Sequence, residues 1–352
     1  MHTEITEPEG QTAASTSPAE RMRAVAQDRY GSADALHITD LDRPEISPDE
    51  VLIEVVAAGV DRGVWHLVTG KPYLVRLAGY GITKPKNPVP GLDVAGRVVA
   101  IGTEVSRFVV GDEVFGIARG AYAEYAAANE DKLAHKPAGL TFEAAAVAAI
   151  SGITALQALT DVAQLRPDQT VLVIGASGGV GTYAVQIAKT LGATVTGVAS
   201  AGKADLVRSL GADRVLDYAT DDYLDGDTRY DVVIDIGGLN PVRRLRRALN
   251  ADGTLVIVGG EGGGNVTGGI GRQLRAKLLS PLVSQQLTFF LSTEHHSHME
   301  RLAEHFEAGD VIPSVGRRYS LEEVPAAIAD LEAGRARGKS VIVVRGGADR
   351  VA

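Results

Sequence analysis

Four glycines stand in the stretch GASGGVG, which follows an apolar run and precedes a helical pattern. Residues without a Cβ let the backbone turn tightly and approach a bound anion, and the first turn of the next helix points unpaired N–H groups at it. No Gly-Lys-Ser/Thr follows, which argues against a P-loop. A plain structural turn is the alternative. We expect this turn to hold a dinucleotide pyrophosphate through the backbone of Ser177, Gly178, Gly179, Val180 and Gly181.

The type of dinucleotide depends on the end of the next strand. A site for NAD usually places Asp or Glu there, to bind the ribose 2′-hydroxyl. In this chain the strand ends in Ser200, Ala201, Gly202 and Lys203, without an acidic residue. A hydroxyl and an ammonium suit a 2′-phosphate better than a free diol. The sequence therefore favours NADPH, although Lys203 alone would also fit a solvated residue at the start of a helix.

The pattern of apolar runs predicts the elements that position this turn. From Thr170, β-branched runs alternate with helical patterns, which is typical of a parallel sheet covered by helices on both faces. The runs are 170–175, 194–200, 214–218, 230–238 and 254–260. Shorter runs before them indicate a mostly antiparallel, strand-rich domain; they are 51–60, 94–102, 111–116 and 121–127. The last stretch predicts helices near 298–308 and 322–333 and a strand at 339–344, packed back onto the first domain.

Composition excludes several functional classes. A chain of 352 residues suggests two domains, and a net charge of -9 without a dense basic block argues against nucleic acid as the main partner. No apolar stretch is long enough to span a bilayer, and the first twenty residues lack the pattern of a secretory signal. The chain has no cysteine, so disulfides, thiol nucleophiles and cysteine-ligated zinc are absent. These features fit a cytoplasmic protein with no membrane partner.

Motifs along nearly the whole chain after residue 22 resemble the medium-chain dehydrogenase/reductase superfamily, in its zinc-free quinone oxidoreductase-like branch. They are VLIEVVAAGV, PVPGLDVAGRVVAIG, VGDEVFG, GAYAEYAA, ISGITALQAL, GASGGVGTYAVQIAK, VRSLGADRVLDY and ARGKSVIVV. The resemblance implies an α/β fold: a GroES-like substrate domain, 22–151 and 293–352, and a Rossmann NADP-binding domain, 152–292, with a doubly wound parallel sheet. Residues 1–21 are expected to form a disordered tail. The resemblance also implies a cleft between the domains and a homodimer.

The resemblance assigns further residues to the cofactor. It places Asp61 and Thr154 near the nicotinamide and Tyr218 and Arg337 near the 2′-phosphate, with Ser200 and Lys203. Tyr218 would equally fit a core position, and Arg337 an exposed one. Gly237 and Gly259 end later strands, where the crevice of an open parallel sheet lies.

Two motifs depart from the zinc alcohol dehydrogenases of the superfamily. Asp61 replaces the cysteine of the first motif, and Leu92 and Asp93 replace the His and Glu of the second. Carboxylates alone do not rebuild a tetrahedral Cys/His site, so no metal is expected. The histidines at 295, 296 and 298 are interpreted as a solvated loop that enters a helix, because no acidic or cysteine partner stands at ligand spacing.

Without a Lewis acid, the easier hydride acceptors are those whose conjugation spreads the developing charge. We therefore expect NADPH-dependent reduction of a small-molecule quinone or another α,β-unsaturated carbonyl. Trp65 and Tyr73 are candidates for the substrate pocket, and Tyr73 and His66 for the proton donor; core packing is the alternative for Trp65 and Tyr73. The competing functions are an NADPH-binding redox sensor with little turnover, a reductase for alcohols or carbonyls, and a biosynthetic alkene reductase.

Overall fold

Residues 20–260 and 264–345 are described by the computed structural model. The predicted N-terminal tail lies outside the described residues up to position 19. Arg21, which that prediction included in the tail, already begins the first strand. Along the described residues, no helix combines the length and the apolar character needed to cross a bilayer.

The strand-rich domain is built from both ends of the described chain. Its strands are β1 (Arg21–Ala26), β2 (His37–Asp42), β3 (Glu50–Gly59), β4 (Asp93–Ile101), β5 (Glu113–Ile117), β6 (Tyr125–Asn129) and β7 (Leu133–His135). β1 and β2 form an antiparallel pair. Two strands from the C-terminal part pair parallel to each other and complete a seven-stranded sheet with β3 to β7. The predicted strand-rich domain is confirmed.

The second domain is a parallel sheet of six strands. They are β8 (Thr170–Ile174), β9 (Thr194–Ala199), β10 (Arg214–Asp217), β11 (Tyr230–Asp235), β12 (Leu249–Ile257) and β13 (Gln286–Phe289). Their order across the sheet is β10-β9-β8-β11-β12-β13, which is the doubly wound order 3-2-1-4-5-6. Five of these strands match predicted runs, whereas β13, a short QLTF run outside the alternation of strands and helices, was not predicted. Two further strands follow, β14 (Val315–Ser320) and β15 (Lys339–Val343), which belong to the first domain.

Nine α-helices of the described residues connect and cover these strands. They are α1 (Arg62–Thr69), α2 (Phe142–Ala146), α3 (Ala149–Gln157), α4 (Gly179–Thr190), α5 (Ala204–Ser209), α6 (Val242–Leu245), α7 (Ile270–Leu279), α8 (His296–Ala308) and α9 (Val324–Glu332). The side chain of Asp61 caps α1 by accepting from the Val64 N–H, whereas α4 begins after Gly178 without a side-chain cap. The first backbone N–H groups of α4 therefore have no capping side chain and are available to another acceptor.

The two domains share a continuous apolar core. A run of buried small residues, 145–149, lets α2 approach β3 closely, and the carbonyl of Ala146 faces Gly59. Tyr183 of α4 is fully buried and donates a hydrogen bond to the Val147 carbonyl. Because this core links α4 to the strand-rich domain, it fixes the glycine turn relative to that domain.

Candidate active site

A cleft of about 510 Å³ lies where the carboxyl ends of the parallel strands meet the strand-rich domain. Nine of the residues predicted to bind the cofactor line it. They are Asp61, Thr154, Ser177, Gly178, Gly179, Val180, Lys203, Gly237 and Gly259. The structure thus gathers, in one cavity, residues that are distant from one another along the chain.

The glycine turn is shaped by contacts that exclude side chains. A Cβ on Gly181 would lie 2.1 Å from the Gly175 carbonyl oxygen, and one on Gly179 would lie 2.9 Å from Ser151 Oγ. Gly175 has a φ of +90°, which favours glycine. Gly178, in contrast, would bring its Cβ no closer than 3.5 Å to another atom, so its face opens into the cleft. Gly181 supports the turn from inside and does not line the cavity.

The backbone of this turn fits a pyrophosphate. The N-terminus of α4, a helix of twelve residues, points into the cleft beside Gly178 and Gly179, and its partial positive charge attracts an anion. The Ser177 carbonyl accepts a hydrogen bond from the N–H of Gly338, at 3.3 Å. The segment before β15 therefore braces the turn from the opposite wall.

The end of β9 brings the predicted 2′-phosphate residues near one another. Lys203 Nζ donates to the carbonyls of Gly334 (3.1 Å) and Ala336 (2.7 Å), so it reaches across to the loop before β15. Burial lowers the pKa of Lys203, and the charge of Arg337 lowers this pKa further. Two cations therefore stand close together at this end of the cleft.

Three of the predicted residues at this end do not line the main cavity. Arg337 lines an adjoining groove, Ser200 is half-buried at the end of β9, and Tyr218 is 60% exposed. Tyr218 lies beside the end of β9 because its N–H bonds the Ala199 carbonyl. The exposure of Tyr218 argues against the core position that was its alternative.

Asp61 lies at the other end of the cleft and is 6% exposed. Its Oδ1 accepts from the Val64 N–H at 3.0 Å, while its Oδ2 is buried without a hydrogen-bond partner among the described residues. A buried carboxylate oxygen in this state is costly unless a donor reaches it. Asp61 lines the cavity, so its negative charge lies beside a molecule bound there.

Asp93 stands where the zinc enzymes have an acidic residue in the second motif. In this chain both oxygens of its carboxylate bind other groups of the protein. Its Oδ2 forms a buried ion pair with Lys339 Nζ, and its Oδ1 accepts from the Ile150 N–H at 2.9 Å. Leu92 offers no ligand atom. The donor set at these positions therefore does not fit a tetrahedral catalytic metal.

Lys339 is a cleft residue that the sequence analysis missed. Its Cδ lies 3.7 Å from the Cβ that Gly179 would carry, so the side chain runs beside the pyrophosphate turn. Burial lowers the pKa of Lys339 to about 8, and the charge of Asp61 opposes this shift. The lysine stands in the quoted motif ARGKSVIVV, but its pairing with Asp93, 246 positions away, is visible only in the fold.

Arg272 is a second residue that the sequence analysis missed. It forms a buried ion pair with Asp235 at the end of β11 and donates to the Gly259 carbonyl at 2.8 Å. Burial raises the pKa of Asp235, and Arg272 opposes this rise. The pair thus fixes the strand end that carries Gly237 to the one that carries Gly259, and both glycines line the cleft.

The candidate substrate residues separate into two groups. His66 lines the cleft, and its Nδ1 lies 2.6 Å from the Lys71 carbonyl oxygen. Trp65 and Tyr73 do not line it: Trp65 packs against the core of the strand-rich domain, and Tyr73 is 42% exposed. Apolar residues absent from the predictions supply the cavity wall instead, among them Ile150, Val258 and Phe290.

The segment that follows His66 contacts the other domain within the same chain. The N–H groups of Tyr73 and Leu74 donate to the carbonyls of Asn265 (2.7 Å) and Val266 (3.3 Å). Tyr73 therefore belongs to a bridge between the two domains.

Thr154 is the last of the predicted cofactor residues that line the cleft. It is 8% exposed and lines the cleft from α3. Its Oγ1 donates to the Ile150 carbonyl at 2.6 Å and lies 3.2 Å from Ser292 Oγ. Ser292 also lines the cleft, so a hydroxyl pair joins α3 to the segment after β13.

Comparison with known proteins agrees with this architecture. The alcohol dehydrogenase GroES-like domain family matches residues 47–138, and the zinc-binding dehydrogenase family matches residues 210–342. A 2-methylene-furan-3-one reductase of Solanum lycopersicum is 32% identical over 94% of this chain and 81% of its own length. A chloroplastic quinone oxidoreductase of Triphysaria versicolor is 31% identical over 91% of this chain and 98% of its own length.

A solved mycobacterial structure complexed with NADPH superposes with a TM-score of 0.78 at 29% identity, covering 92% of this chain and 100% of that one. The cleft, its glycine turn and these relatives agree on an oxidoreductase that uses a nicotinamide dinucleotide. The chain belongs to the medium-chain dehydrogenase/reductase superfamily, in its quinone oxidoreductase-like branch.

Proposed function

We propose that this protein reduces a quinone or another α,β-unsaturated carbonyl with NADPH, without a catalytic metal. The observation that carries the proposal is the cleft itself. It joins a pyrophosphate cradle at Gly178 and Gly179 to an apolar end at Ile150, Val258 and Phe290. At the second zinc-enzyme motif this chain has Leu92 and Asp93, and the Asp93 carboxylate is already paired with Lys339. The names of the relatives, a quinone oxidoreductase and an unsaturated furanone reductase, support the same acceptors.

The preference for NADPH rests on the charges at the end of β9. Lys203 and Arg337 lie close enough for one to depress the pKa of the other, and Ser200 stands where an NAD site has an acid. Two cations near each other are stabilised by a dianionic phosphate between them. The NADPH complex of the mycobacterial relative supports this choice.

The remaining roles fall to groups at the inner end of the cleft. When bound, the cofactor supplies a hydride from its nicotinamide ring. Asp61 and Thr154, which both line the cleft, orient the bound molecule through the charge of the carboxylate and the hydroxyl. The apolar wall excludes water, so the hydride goes to the conjugated acceptor, whose own carbonyl spreads the negative charge.

We assign proton donation to His66. Its Nδ1–H donates to the Lys71 carbonyl, which orients the ring, and a proton on Nε2 can then be given up without breaking that bond. His66→Ala is expected to lower kcat roughly 10- to 100-fold with little change in KM. Tyr73→Phe is the matched control, because Tyr73 lies outside the cleft. Loss of activity in Tyr73→Phe with normal activity in His66→Ala would reverse the assignment.

The experiment that tests the function is the oxidation of NADPH by purified, chelator-treated protein. The acceptors are a simple quinone, an enone and a saturated ketone, each repeated with NADH. We expect turnover of the quinone or the enone, faster with NADPH and unchanged by the chelator. Activity on the saturated ketone that the chelator abolishes would overturn the proposal, and NADPH binding without any turnover would favour a redox sensor. The homodimer and the cytoplasmic location stay predictions.

A further inference from the structure

Three metal-ligating side chains from distant parts of the chain meet outside the cleft. Asp131 lies in the short turn between β6 and β7, and His295 and His296 lie at the start of α8. One ligand atom of each lies within 4.8 Å of the other two, and His296 Nε2 is 4.0 Å from Asp131 Oδ1. The expectation that these histidines lack an acidic partner is therefore wrong. The partner comes from a segment far earlier in the chain, which spacing along the sequence does not reveal.

Each of the two imidazoles has an oxygen beside its Nδ1. His295 Nδ1 lies 3.0 Å from Ser297 Oγ and, at the N-cap of α8, accepts from the Ser297 N–H at 3.3 Å, whereas His296 Nδ1 lies 3.2 Å from Glu300 Oε1. Histidines that bind metal usually donate the hydrogen of their other ring nitrogen to such an oxygen, which fixes the tautomer. Metal binding through Nε2 therefore requires His295 to exchange its cap hydrogen bond for a donation from Nδ1 to Ser297 Oγ, while Glu300 already stands beside Nδ1 of His296.

The charges around the group also favour a cation. The two imidazole rings lie 4.1 Å apart between centroids, so two imidazolium charges would repel each other, whereas a metal binds both rings in their neutral form. The neighbouring carboxylates already have cationic partners: Glu294 pairs with Lys132 at 2.7 Å, and Glu300 with Arg107 at 2.5 Å. Asp131 therefore supplies the charge that faces the two imidazoles.

We propose that Asp131, His295 and His296 bind one divalent first-row transition-metal ion, with zinc as the reference ion, where the start of α8 meets the turn before β7. Two imidazoles and a carboxylate suit such ions, and water completes the coordination. Ligand atoms around tetrahedral zinc are roughly 3.4 Å apart, and those of the three side chains lie within 4.8 Å of one another, so they need to close by up to about 1.4 Å. The ion would fasten the first turn of α8 to the turn before β7, separately from the cofactor cleft.

The test is a titration of the whole, chelator-treated protein with zinc chloride by calorimetry. We expect one saturable site per chain and an increase in Tm of about 4 °C when zinc is about 100-fold above its Kd. His296→Ala should weaken binding at least tenfold. His305→Ala is the matched control: it removes a histidine from the last turn of the same helix, where it faces Asp310, and should leave the affinity unchanged. Glu300→Gln should weaken binding by a smaller factor.

Cobalt supplies an independent readout, because imidazole ligands produce visible absorption bands that the hydrated ion shows only weakly. The bands should appear with the unmodified protein and with His305→Ala, and should be lost in His296→Ala. If His296→Ala lowers the Tm without metal, Asp131→Asn takes its place, since that side chain is 61% exposed and its loss does not disturb packing. No saturable binding, or equal affinity in the unmodified protein and these variants, would overturn the proposal.

Discussion

Two buried ion pairs flank the cleft, one in each domain, and their cations differ in what else they contact. The guanidinium of Arg272 pairs with Asp235 and also donates to the carbonyls of Asn240 (3.2 Å) and Gly259 (2.8 Å). The ammonium of Lys339 pairs with Asp93, and its side chain runs along the cleft beside Gly179. The first pair is enclosed by protein groups, whereas the second has a cation beside the ligand cavity.

This difference between the two ion pairs suggests that one stabilises the fold and the other contributes to ligand binding. A buried charge whose hydrogen bonds all go to the protein holds neighbouring segments in place, and removing one partner leaves the other charge uncompensated. A cation that lines a cavity can be shared between its protein partner and a bound anion, as happens at phosphate sites. We therefore expect the Arg272 pair to control stability and the Lys339 pair to control affinity for the cofactor.

The largest effect is expected from Arg272→Met. This change leaves the carboxylate of Asp235, which is fully buried, with one long hydrogen bond of 3.4 Å from the Gly238 N–H. We expect the free energy of unfolding to fall by about 3–5 kcal/mol, measured by urea denaturation. Arg275→Met, an exposed position on the same helix, is the control. The double variant Arg272→Met/Asp235→Asn should recover part of the loss; no recovery would mean that the carbonyl contacts of Arg272 matter more than its charge.

Lys339→Met is expected to act mainly on the cofactor. Asp93 keeps its hydrogen bond from the Ile150 N–H at 2.9 Å, so the cost in stability is smaller than for Arg272. We expect the Kd for NADPH to rise roughly 10- to 100-fold, because a cation beside the pyrophosphate turn is lost. Fluorescence titration measures this change. Lys189→Met, at the far end of α4, should leave the Kd unchanged. An unchanged Kd in Lys339→Met would show that its ammonium serves Asp93 alone.

The contrast also shows what the sequence could predict. The strands β8 to β12 were located within a few residues, because continuous β-branched runs separated by helical patterns are typical of a buried parallel sheet and of little else. The glycine turn was found for a similar reason, since it requires glycines at fixed positions. β13 was missed because it is four residues long and half polar. Features that depend on residues close together in sequence, such as the long strands and the glycine turn, could therefore be predicted.

The ion pairs could not be predicted, because each joins residues that only the fold brings together. Asp93 stands in the remnant of a metal motif, but its partner lies in the last strand. Tyr73 was a reasonable pocket candidate as an aromatic near the cleft segment, yet the bridge to Asn265 keeps it outside the cavity. The contact of His295 and His296 with Asp131 could not be predicted for the same reason, since these residues are far apart along the sequence.

The pH dependence of NADPH binding sharpens the comparison. Burial lowers the pKa of Lys339 to about 8, against an ordinary value of 10.5, so the ammonium is charged below about pH 8 and is lost above it. The phosphates of NADPH are fully ionised in this pH range, so a change in Kd with pH comes from a titrating group of the protein. The Kd should stay nearly constant up to pH 8 and then rise by up to about tenfold per pH unit, a slope that Lys339→Met should reduce. An equal slope in the variant would assign the titration to another group, with Lys203 the first to examine.

The smallest effect is expected at Lys203, which belongs to the parallel-sheet domain but crosses the cleft to the carbonyls of Gly334 and Ala336. Its charge is partly solvated and shared with these carbonyls, so Lys203→Ala should lower the preference for NADPH over NADH only about 3- to 10-fold in kcat/KM. Arg335→Ala is the control, because Arg335 is held by Asp330 at 2.5 Å. If activity with NADPH and with NADH fell equally, Lys203 would act by holding the loop before β15 to the end of β9. A selective loss of NADPH would place its charge at the 2′-phosphate, and both domains would then contribute a cation to the cofactor.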